Sequence, residues 1–506
     1  MRKSTKAATA VLALAVLGTT GYLTHTALAE GDGLGRFANQ KIDWHKCQLD
    51  ENDEVGAELD AAGAQCGEVT VPLDYRKPNG RTIEVAMSRL EGSDKKHKIG
   101  SMLLNTGGPA GEGLDYVLPV SDAMGKLSSR FDLIGMDPRF VGRSNPIDCG
   151  WDVGTWVRSA GTERDGFDEI VDMQADLAER CERTKGDLLP HVTTRNTARD
   201  MDLIRRVLGE RKLSYLGYSY GTYLGSVYTQ MFPKRADRVV LDGAVDPDRY
   251  GATMFGDAAG HAENALKDWA KWAAKRDAEY GLGATQDEVV ATVDSIMEAA
   301  AEEPLRIGEY ELDDSAAPIV LLDGLSDDRE PSNTKLAEAV ATMHTAATQG
   351  SAKPGPELEG MLGFVLTGAE SKYGSAQASI LCGDVDVPTD PDWYWNDIEE
   401  HRADEPRFGP VYRDISPCAS WSTEPIEEPT TVDNDVPALV VAATGDPMTP
   451  YEHAEALHGK LSESRLLTLD GARVHGVYGE YGNSCIDKRV NKYLASGKLP
   501  SGNPTC

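Results

Sequence analysis

The chain has 506 residues, of which 40% are hydrophobic and 26% are charged, and this ordinary composition excludes a globally disordered protein. Its formal net charge of -31 at pH 7 repels phosphate backbones and anionic lipid, so we expect no nucleic-acid partner and no membrane partner. The length allows one elaborated domain or two, and a monomer is the default expectation because nothing in the sequence indicates an oligomer.

The first 29 residues have the pattern of a secretory signal peptide. Basic residues precede an apolar run over 7–17, and a small-residue cleavage motif ends at Ala29. A membrane anchor is the alternative, but the run is shorter than the roughly 20 residues that span a bilayer. We therefore predict a signal peptide over 1–29 and a secreted mature protein.

All the cysteines follow this segment, and an even number of them in an exported chain indicates disulfide bonds. Pairing neighbours along the sequence closes the shortest loops. We therefore predict the bonds Cys47–Cys66, Cys149–Cys181, Cys382–Cys418 and Cys485–Cys506. No CxxC spacing occurs, so neither a zinc site nor a thioredoxin-like redox centre is expected.

Strand and helix patterns alternate in the first half of the chain. Segments 67–75 and 82–90 alternate apolar and polar residues, which predicts paired strands, and a helical stripe runs over 196–208. Short apolar strands are predicted at 102–104, 131–137, 213–216 and 238–241. This alternation predicts an α/β fold with a mostly parallel central sheet and helices on both faces.

The middle of the chain, from about 250 to 430, has a different pattern. Helices are predicted at 261–278, 286–302, 334–348 and 358–370, with few strand candidates between them. Strands at 437–442 and 465–469 and a final helix near 487–495 then resume the earlier pattern. We therefore predict an α/β core over 30–249 and 431–506, interrupted by a helical cap over 250–430.

A candidate nucleophile, Ser219, lies in a GxSxG motif between a predicted strand and a predicted helix. A serine hydroxyl needs a neighbouring base and a position that an acyl carbon can approach. The strained serine turn leaves no room for side chains two residues away on either side, and Gly217 and Gly221 occupy those positions. Because short motifs arise by chance, the strand before and the helix after this one carry the prediction.

A candidate acid, Asp446, follows the predicted strand at 437–442. A carboxylate at the end of a strand can orient the imidazole of a catalytic histidine. The alternative role for Asp446 is to cap the helix that starts near Pro450, although Thr449 would cap that helix equally well. We therefore predict Asp446 as the orienting acid.

A candidate general base, His475, follows the strand at 465–469 on a predicted loop, so the triad has the chain order serine, acid, histidine. Two other histidines, His453 and His458, follow the acid but fall within the helix after it, where we expect them to face solvent. Position therefore selects His475.

Acyl transfer also needs two N–H donors for the oxyanion that develops in the transition state. One candidate is the N–H of Tyr220, directly after the nucleophile. The glycine-rich run 107–111 is expected to supply the other from Gly108, because Pro109 has no N–H, although the run could be only a tight turn. No HExxH motif occurs, and this chemistry needs neither a metal nor an organic cofactor.

Several of these motifs together resemble one family. The GGP run at 107–109, the GxSxG motif, the GDPMTP run at 445–450, and then His475, Cys485 and Cys506 follow one another along the chain. In this combination the chain resembles the secreted tripeptidyl aminopeptidases of actinomycetes, which belong to the proline iminopeptidase family of α/β-hydrolases. The likeness covers most of the mature chain.

The resemblance implies an exopeptidase that releases short peptides, tripeptides in this group, from the free amino end of peptide substrates. It also implies a helical cap, with acidic groups that bind the α-ammonium of the substrate. Glu370 and Asp384 are the candidates for that role, although exposed carboxylates are more often only solvated. Ala110 and Phe140 stand where the family often has glycine, and we expect them to affect substrate preference but not the triad.

Two rival functions share these features. A secreted esterase or lipase would use the same triad, and a non-catalytic binding protein could keep the same fold. The intact set of Ser219, Asp446 and His475 favours an enzyme over a binding protein.

Overall fold

The computed structural model describes residues 33–506, so the predicted signal peptide lies outside the described residues. Within this range the strands are β1 (Gln65–Pro72), β2 (Thr82–Leu90), β3 (Gly100–Asn105), β4 (Phe131–Met136), β5 (Leu213–Tyr218), β6 (Ala236–Asp242), β7 (Leu305–Ile307), β8 (Tyr310–Leu312), β9 (Ala438–Ala443) and β10 (Arg465–Leu469). An 8-stranded sheet has the order β1-β2-β4-β3-β5-β6-β9-β10, and β7 pairs with β8.

Strand β2 is antiparallel to both of its neighbours, and all other pairs of the large sheet are parallel. Both faces of the sheet are buried, as β9 illustrates. Val440 packs into the hydrophobic cluster on one face, whereas Leu439 and Val441 pack into the cluster on the other. The predicted α/β fold with a mostly parallel central sheet is therefore confirmed.

Helices connect and cover these strands. They are α1 (Gly35–Ala38), α2 (Glu54–Ala61), α3 (Val117–Met124), α4 (Arg164–Lys185), α5 (Thr194–Val207), α6 (Tyr220–Met231), α7 (Ala259–Ala274), α8 (Asp277–Tyr280), α9 (Gln286–Glu302), α10 (Ala317–Leu325), α11 (Glu330–Gln349), α12 (Pro356–Leu366), α13 (Ser371–Asp384), α14 (Pro391–His401), α15 (Gly409–Tyr412), α16 (Tyr451–Lys460) and α17 (Ser484–Ser496).

Helices α7 to α15 all lie between β6 and β9, in the segment for which the sequence predicts a cap. Much of this segment packs around its own hydrophobic cluster, which includes the fully buried Leu266, Trp269 and Val340. Helix α9 has the predicted bounds because Thr285 and Glu288 form a capping box at its start. The hairpin of β7 and β8 was not predicted.

The described chain contains four disulfides, with the pairing predicted from the order of the cysteines: Cys47–Cys66, Cys149–Cys181, Cys382–Cys418 and Cys485–Cys506. No helix between residues 33 and 506 is both long enough and apolar enough to cross a bilayer.

Candidate active site

Ser219 lies in the turn between β5 and α6, with φ 53° and ψ -125°, a conformation that residues other than glycine rarely adopt. The turn is tightly packed against its surroundings. A Cβ atom on Gly217 would lie 2.5 Å from the carbonyl oxygen of Gly221, and one on Gly221 would lie 2.7 Å from Oδ1 of Asn105. Both glycines of the motif are therefore required by the close approach of neighbouring atoms.

The glycine-rich loop after β3 lies directly against this turn. A Cβ atom on Gly107 would lie 2.6 Å from the carbonyl oxygen of Tyr218 and 2.9 Å from Cβ of Ser219. Gly108 lines the same cavity as Ser219, and within residues 33–506 its N–H donates to no protein acceptor. Tyr220 is the first residue of α6, and the first N–H groups of a helix have no carbonyl partner within the helix. The N–H of Tyr220 is therefore free to bind an oxyanion.

Asp446 follows β9 and is buried, with 1% of its surface exposed. Its Oδ1 accepts hydrogen bonds from the N–H groups of Met448 (2.9 Å) and Thr449 (3.0 Å), and its Oδ2 accepts one from the Thr449 hydroxyl (2.9 Å). Asp446 therefore organises the turn before α16, as a capping residue would, while it also contacts His475.

His475 Nδ1 lies 2.9 Å from Oδ2 and 3.1 Å from Oδ1 of Asp446. A hydrogen bond at Nδ1 leaves Nε2 as the ring nitrogen that can exchange a proton with another group. Burial disfavours the charged imidazolium, but the carboxylate of Asp446, with a smaller contribution from Asp242, outweighs it and raises the pKa of His475.

Ser219 and His475 both line a cavity of about 390 Å³. The wall of this cavity includes several polar side chains but is mainly apolar. The large apolar and aromatic residues of the wall are Trp156, Val157, Met254, Phe255, Ile319, Leu322, Met361, Phe364, Tyr373, Val411, Tyr412 and Met448. Such a cavity suits a ligand with apolar side chains that brings a polar backbone to the serine.

Sequence comparison relates this site to known proteins. The profile of a family described as TAP-like protein matches residues 405–506, which include Asp446 and His475. A tripeptidyl aminopeptidase of Streptomyces lividans is 35% identical, over 93% of this chain and 87% of its own length. The serine protease Hip1 of Mycobacterium bovis is 32% identical, over 99% of this chain and 96% of its own length.

The chain belongs to the tripeptidyl aminopeptidase family. It is thus a serine hydrolase of the aminopeptidase class, as the resemblance of its motifs implied. A more distant relative, the carboxylesterase B of Mycobacterium tuberculosis, is 27% identical over 92% of this chain and 89% of its own length.

In this member of the tripeptidyl aminopeptidase family, neither Glu370 nor Asp384 lines the cavity of Ser219. Asp384 is buried at the end of α13, where it accepts hydrogen bonds from the N–H (2.8 Å) and hydroxyl (2.5 Å) of Thr194 and from the hydroxyl of Tyr250 (3.0 Å). Its oxygens bind groups of the fold outside the cavity of Ser219, so the predicted role of Asp384 in binding a substrate ammonium gains no support. Glu370 is exposed outside the cavity wall, so its predicted role gains no support.

The prediction that His453 faces solvent is wrong. His453 has 6% of its surface exposed, lines the cavity, and places Nε2 3.1 Å from Oδ2 of Asp257. Asp257 lies almost 200 residues earlier in the chain, so no local pattern could reveal the contact. His458 is half-buried, with Nδ1 2.6 Å from the hydroxyl of Ser464.

Ala110 and Phe140, where the family often has glycine, both have positive φ angles, 80° and 68° respectively. Their backbones thus keep the conformation that glycine adopts most easily. Both side chains are buried in the hydrophobic cluster on one face of the sheet, and neither lines the cavity. Neither side chain contacts the cavity, so the structure gives no direct support to the expected influence of these residues on substrate preference.

Two carboxylates, one in the cavity wall and one beside His475, were not predicted from the sequence. Asp323 of α10 is the only carboxylate among the described residues that line the cavity. Asp242 ends β6, and the glycine after it lies beside His475, where an added Cβ would be 3.3 Å from Cε1. A signal for Asp242 was present, since polar residues at the carboxyl ends of parallel strands meet at one edge of the sheet.

Proposed function

We propose that the chain is a secreted serine exopeptidase that releases short peptides, most simply tripeptides, from the free N-terminus of peptide substrates. The observation that carries the proposal is that Ser219 and His475 line one cavity while Asp446 binds Nδ1 of His475. The kinship with tripeptidyl aminopeptidases supports the peptide substrate and the size of the product.

In the proposed reaction, Nε2 of His475 takes the proton from the Ser219 hydroxyl as Oγ attacks the scissile carbonyl carbon. The carbonyl oxygen becomes an oxyanion, which accepts hydrogen bonds from the N–H groups of Gly108 and Tyr220. Collapse of this intermediate breaks the C–N bond, and His475 passes its proton to the leaving amine. Asp446 holds the imidazole in position and stabilises its charged form throughout.

Hydrolysis of the acyl-enzyme repeats these steps with water as the nucleophile. His475 takes a proton from water, the hydroxide attacks the ester carbonyl, and the proton returns to Oγ of Ser219 as the peptide acid leaves. The chain's own residues therefore balance every proton in the cycle.

Recognition of a free N-terminus calls for a carboxylate within reach of the bound peptide. Asp323 is the candidate, since it is the only carboxylate among the described residues that line the cavity. The α-ammonium group of the substrate would replace the water around Asp323. The apolar wall would hold the side chains of the residues to be released. This assignment replaces Asp384.

Secretion is part of the proposal. The predicted signal peptide over 1–29 and the four disulfides support it, because disulfides persist in oxidising compartments outside the cytosol. Analysis of the culture medium and the N-terminal sequence of the exported protein test it, and mature protein beginning after Ala29 is the expected result.

The test of the activity compares chromogenic amides that carry one, two or three residues, each with a free or an acetylated amino group. We expect the free tripeptidyl amide to have the highest kcat/KM and acetylation to lower it strongly. In Asp323→Asn the KM for the free amide should rise, whereas hydrolysis of the acetylated amide should not change. Equal rates with and without the amino group would contradict the exopeptidase.

An esterase is the second candidate, favoured by the carboxylesterase relative and by the apolar wall of the cavity. Short p-nitrophenyl esters in the same assay distinguish the two, because an esterase would cleave them with a higher kcat/KM than any peptide amide. A fluorophosphonate probe that labels wild type but not Ser219→Ala would exclude the non-catalytic alternative.

A further inference from the structure

Asp242 is a carboxylate buried beside the triad without a lysine or arginine partner. It has 0% of its surface exposed, and among the described residues His475 is the only cationic group that acts on its charge. Burying an ionised carboxylate is unfavourable unless hydrogen bonds or charges compensate for it. Its place therefore needs an explanation beyond packing.

The hydrogen bonds of Asp242 connect the nucleophile to the loop that carries His475. Its carboxylate accepts from the N–H of Val477 (3.0 and 3.1 Å) and from the N–H of Tyr478 (2.6 Å). Its backbone carbonyl accepts from the N–H of Ser219 (2.9 Å). One residue at the end of β6 thus fixes the serine turn and the segment directly after the histidine.

The charge of Asp242 also acts on the imidazole. It favours the protonated form of His475 in addition to the larger effect of Asp446. Burial raises the pKa of Asp242 itself to about 7. The N–H groups of Tyr478 and Val477 oppose this effect, because they donate to the ionised carboxylate and so lower its pKa. The other titratable groups around the carboxylate are Tyr218 of β5, Tyr116 before α3, Asp446 after β9, and Glu480 of the histidine loop.

We propose that Asp242 is a second positioning carboxylate of the active site, which aims the His475 loop and stabilises the imidazolium formed during acyl transfer. The triad then has two acids with different tasks. Asp446 binds the ring directly, whereas Asp242 acts through the backbone of the loop and through its charge. This inference rests on the proposed role of His475 as the general base.

The decisive variant is Asp242→Asn, which keeps an oxygen acceptor for the loop but removes the charge. Neutral His475 is the active base, so kcat/KM falls at low pH with the pKa of His475. Removing a nearby negative charge lowers that pKa, but Asp242 is itself largely ionised only above about pH 7, so the acidic limb should move to lower pH by less than about one unit. On the plateau, kcat should fall about tenfold, with KM little changed, because the imidazolium is less stabilised.

Asp384→Asn is the matched control, because Asp384 is also buried and its pKa is also raised to about 7, but it binds Thr194 and Tyr250. Its acidic limb should remain at the wild-type pH. Asp242→Ser, which keeps a hydroxyl acceptor, should shift the limb as Asp242→Asn does. Circular dichroism and thermal melts verify that each variant is folded.

Three results would overturn the proposal. The first is an unshifted limb in a folded, charge-free variant, and the second is an equal shift in Asp384→Asn. The third is that neither Asp242→Asn nor Asp242→Ser folds, which would show that the carboxylate serves the fold. If His475 were not the base, His475→Ala would keep its activity, and that outcome would contradict the proposed function separately.

Discussion

The N–H of His475 donates a hydrogen bond to the carbonyl oxygen of Ser326, at 2.8 Å. Ser326 directly follows α10, the helix that contributes Asp323 to the cavity wall. The backbone of the proposed general base is therefore bound to the helical segment that encloses the cavity, as well as to the sheet. Substrate contacts at the wall and the position of the histidine are physically connected.

Asp328 reinforces this connection, and we expect Asp328→Ala to lower kcat about tenfold, since small displacements of a catalytic group reduce rates strongly. Its Oδ2 accepts from the N–H of Arg473 (2.8 Å) and its Oδ1 from the hydroxyl of Tyr481 (2.9 Å), on either side of His475. Steady-state kinetics with the tripeptidyl amide measure the effect, and a thermal melt measures stability.

Glu330→Ala is the control for that variant. Glu330 lies two residues further on, is exposed, and binds Trp272 and Arg276 away from the histidine loop. Its kcat should equal that of wild type. Equal losses in the two variants would show that the helical segment tolerates no change there, and would remove the evidence for a specific link.

The raised pKa of His475 predicts the pH dependence of the wild-type enzyme. The base must be neutral to accept the serine proton, so kcat/KM should fall as the pH drops through a midpoint above 6.5, the ordinary value for histidine. A profile of kcat/KM against pH measures the midpoint. The substrate amino group titrates near 8 and so perturbs only the alkaline side. A midpoint below 6.5 would show that burial lowers the pKa of His475 by more than the carboxylate of Asp446 raises it, which contradicts the prediction.

Local chemistry made the serine turn and much of the sheet predictable. The glycine spacing around Ser219 reports a steric requirement within five residues, and the strand at 465–469 was predicted with the bounds it has. Helix α10 escaped prediction because its sequence, APIVLLDGL, is apolar without a helical period. Asp323, which lies on this helix and lines the cavity, was therefore not predicted either.

Contacts between distant parts of the chain explain the other errors. Asp384 was a candidate for binding the substrate ammonium because the family resemblance implies acidic groups in the cap, but its carboxylate binds Thr194 and Tyr250 instead of lining the cavity. His453 was expected to face solvent, yet α16 turns it towards Asp257. Periodicity gives the face of a helix but does not identify the element that covers it.

The close contact at Gly107 predicts a severe effect of a single methyl group. In Gly107→Ala the new Cβ would lie within 3 Å of Tyr218 and Ser219, at a φ of 98° that alanine avoids. We expect kcat/KM to fall at least about 100-fold, because both the oxyanion loop and the serine must move. The rate of fluorophosphonate labelling should fall in parallel.

The matched glycine is Gly360 in α12, where an added Cβ would meet nothing within 4 Å. Gly360→Ala should keep wild-type kinetics and raise the free energy of unfolding by about 0.5 to 1 kcal/mol, the usual difference within a helix. Normal kinetics in Gly107→Ala would show that the loop can yield, and would weaken the case for Gly108 as an oxyanion donor.

The buried ion pair of Arg139 and Asp200 gives a prediction on stability alone. Nε and Nη2 of Arg139 each lie 2.7 Å from an oxygen of Asp200, each side chain has 1% of its surface exposed, and neither residue lines the cavity. Asp200→Ala leaves a buried cation without its partner, which should lower the free energy of unfolding by about 3 to 5 kcal/mol.

The double variant Arg139→Met, Asp200→Ala should lose less than the sum of the single losses, because it buries no lone charge. Denaturant unfolding of the four proteins measures this coupling, and strictly additive losses would mean that water or another group already compensates the pair.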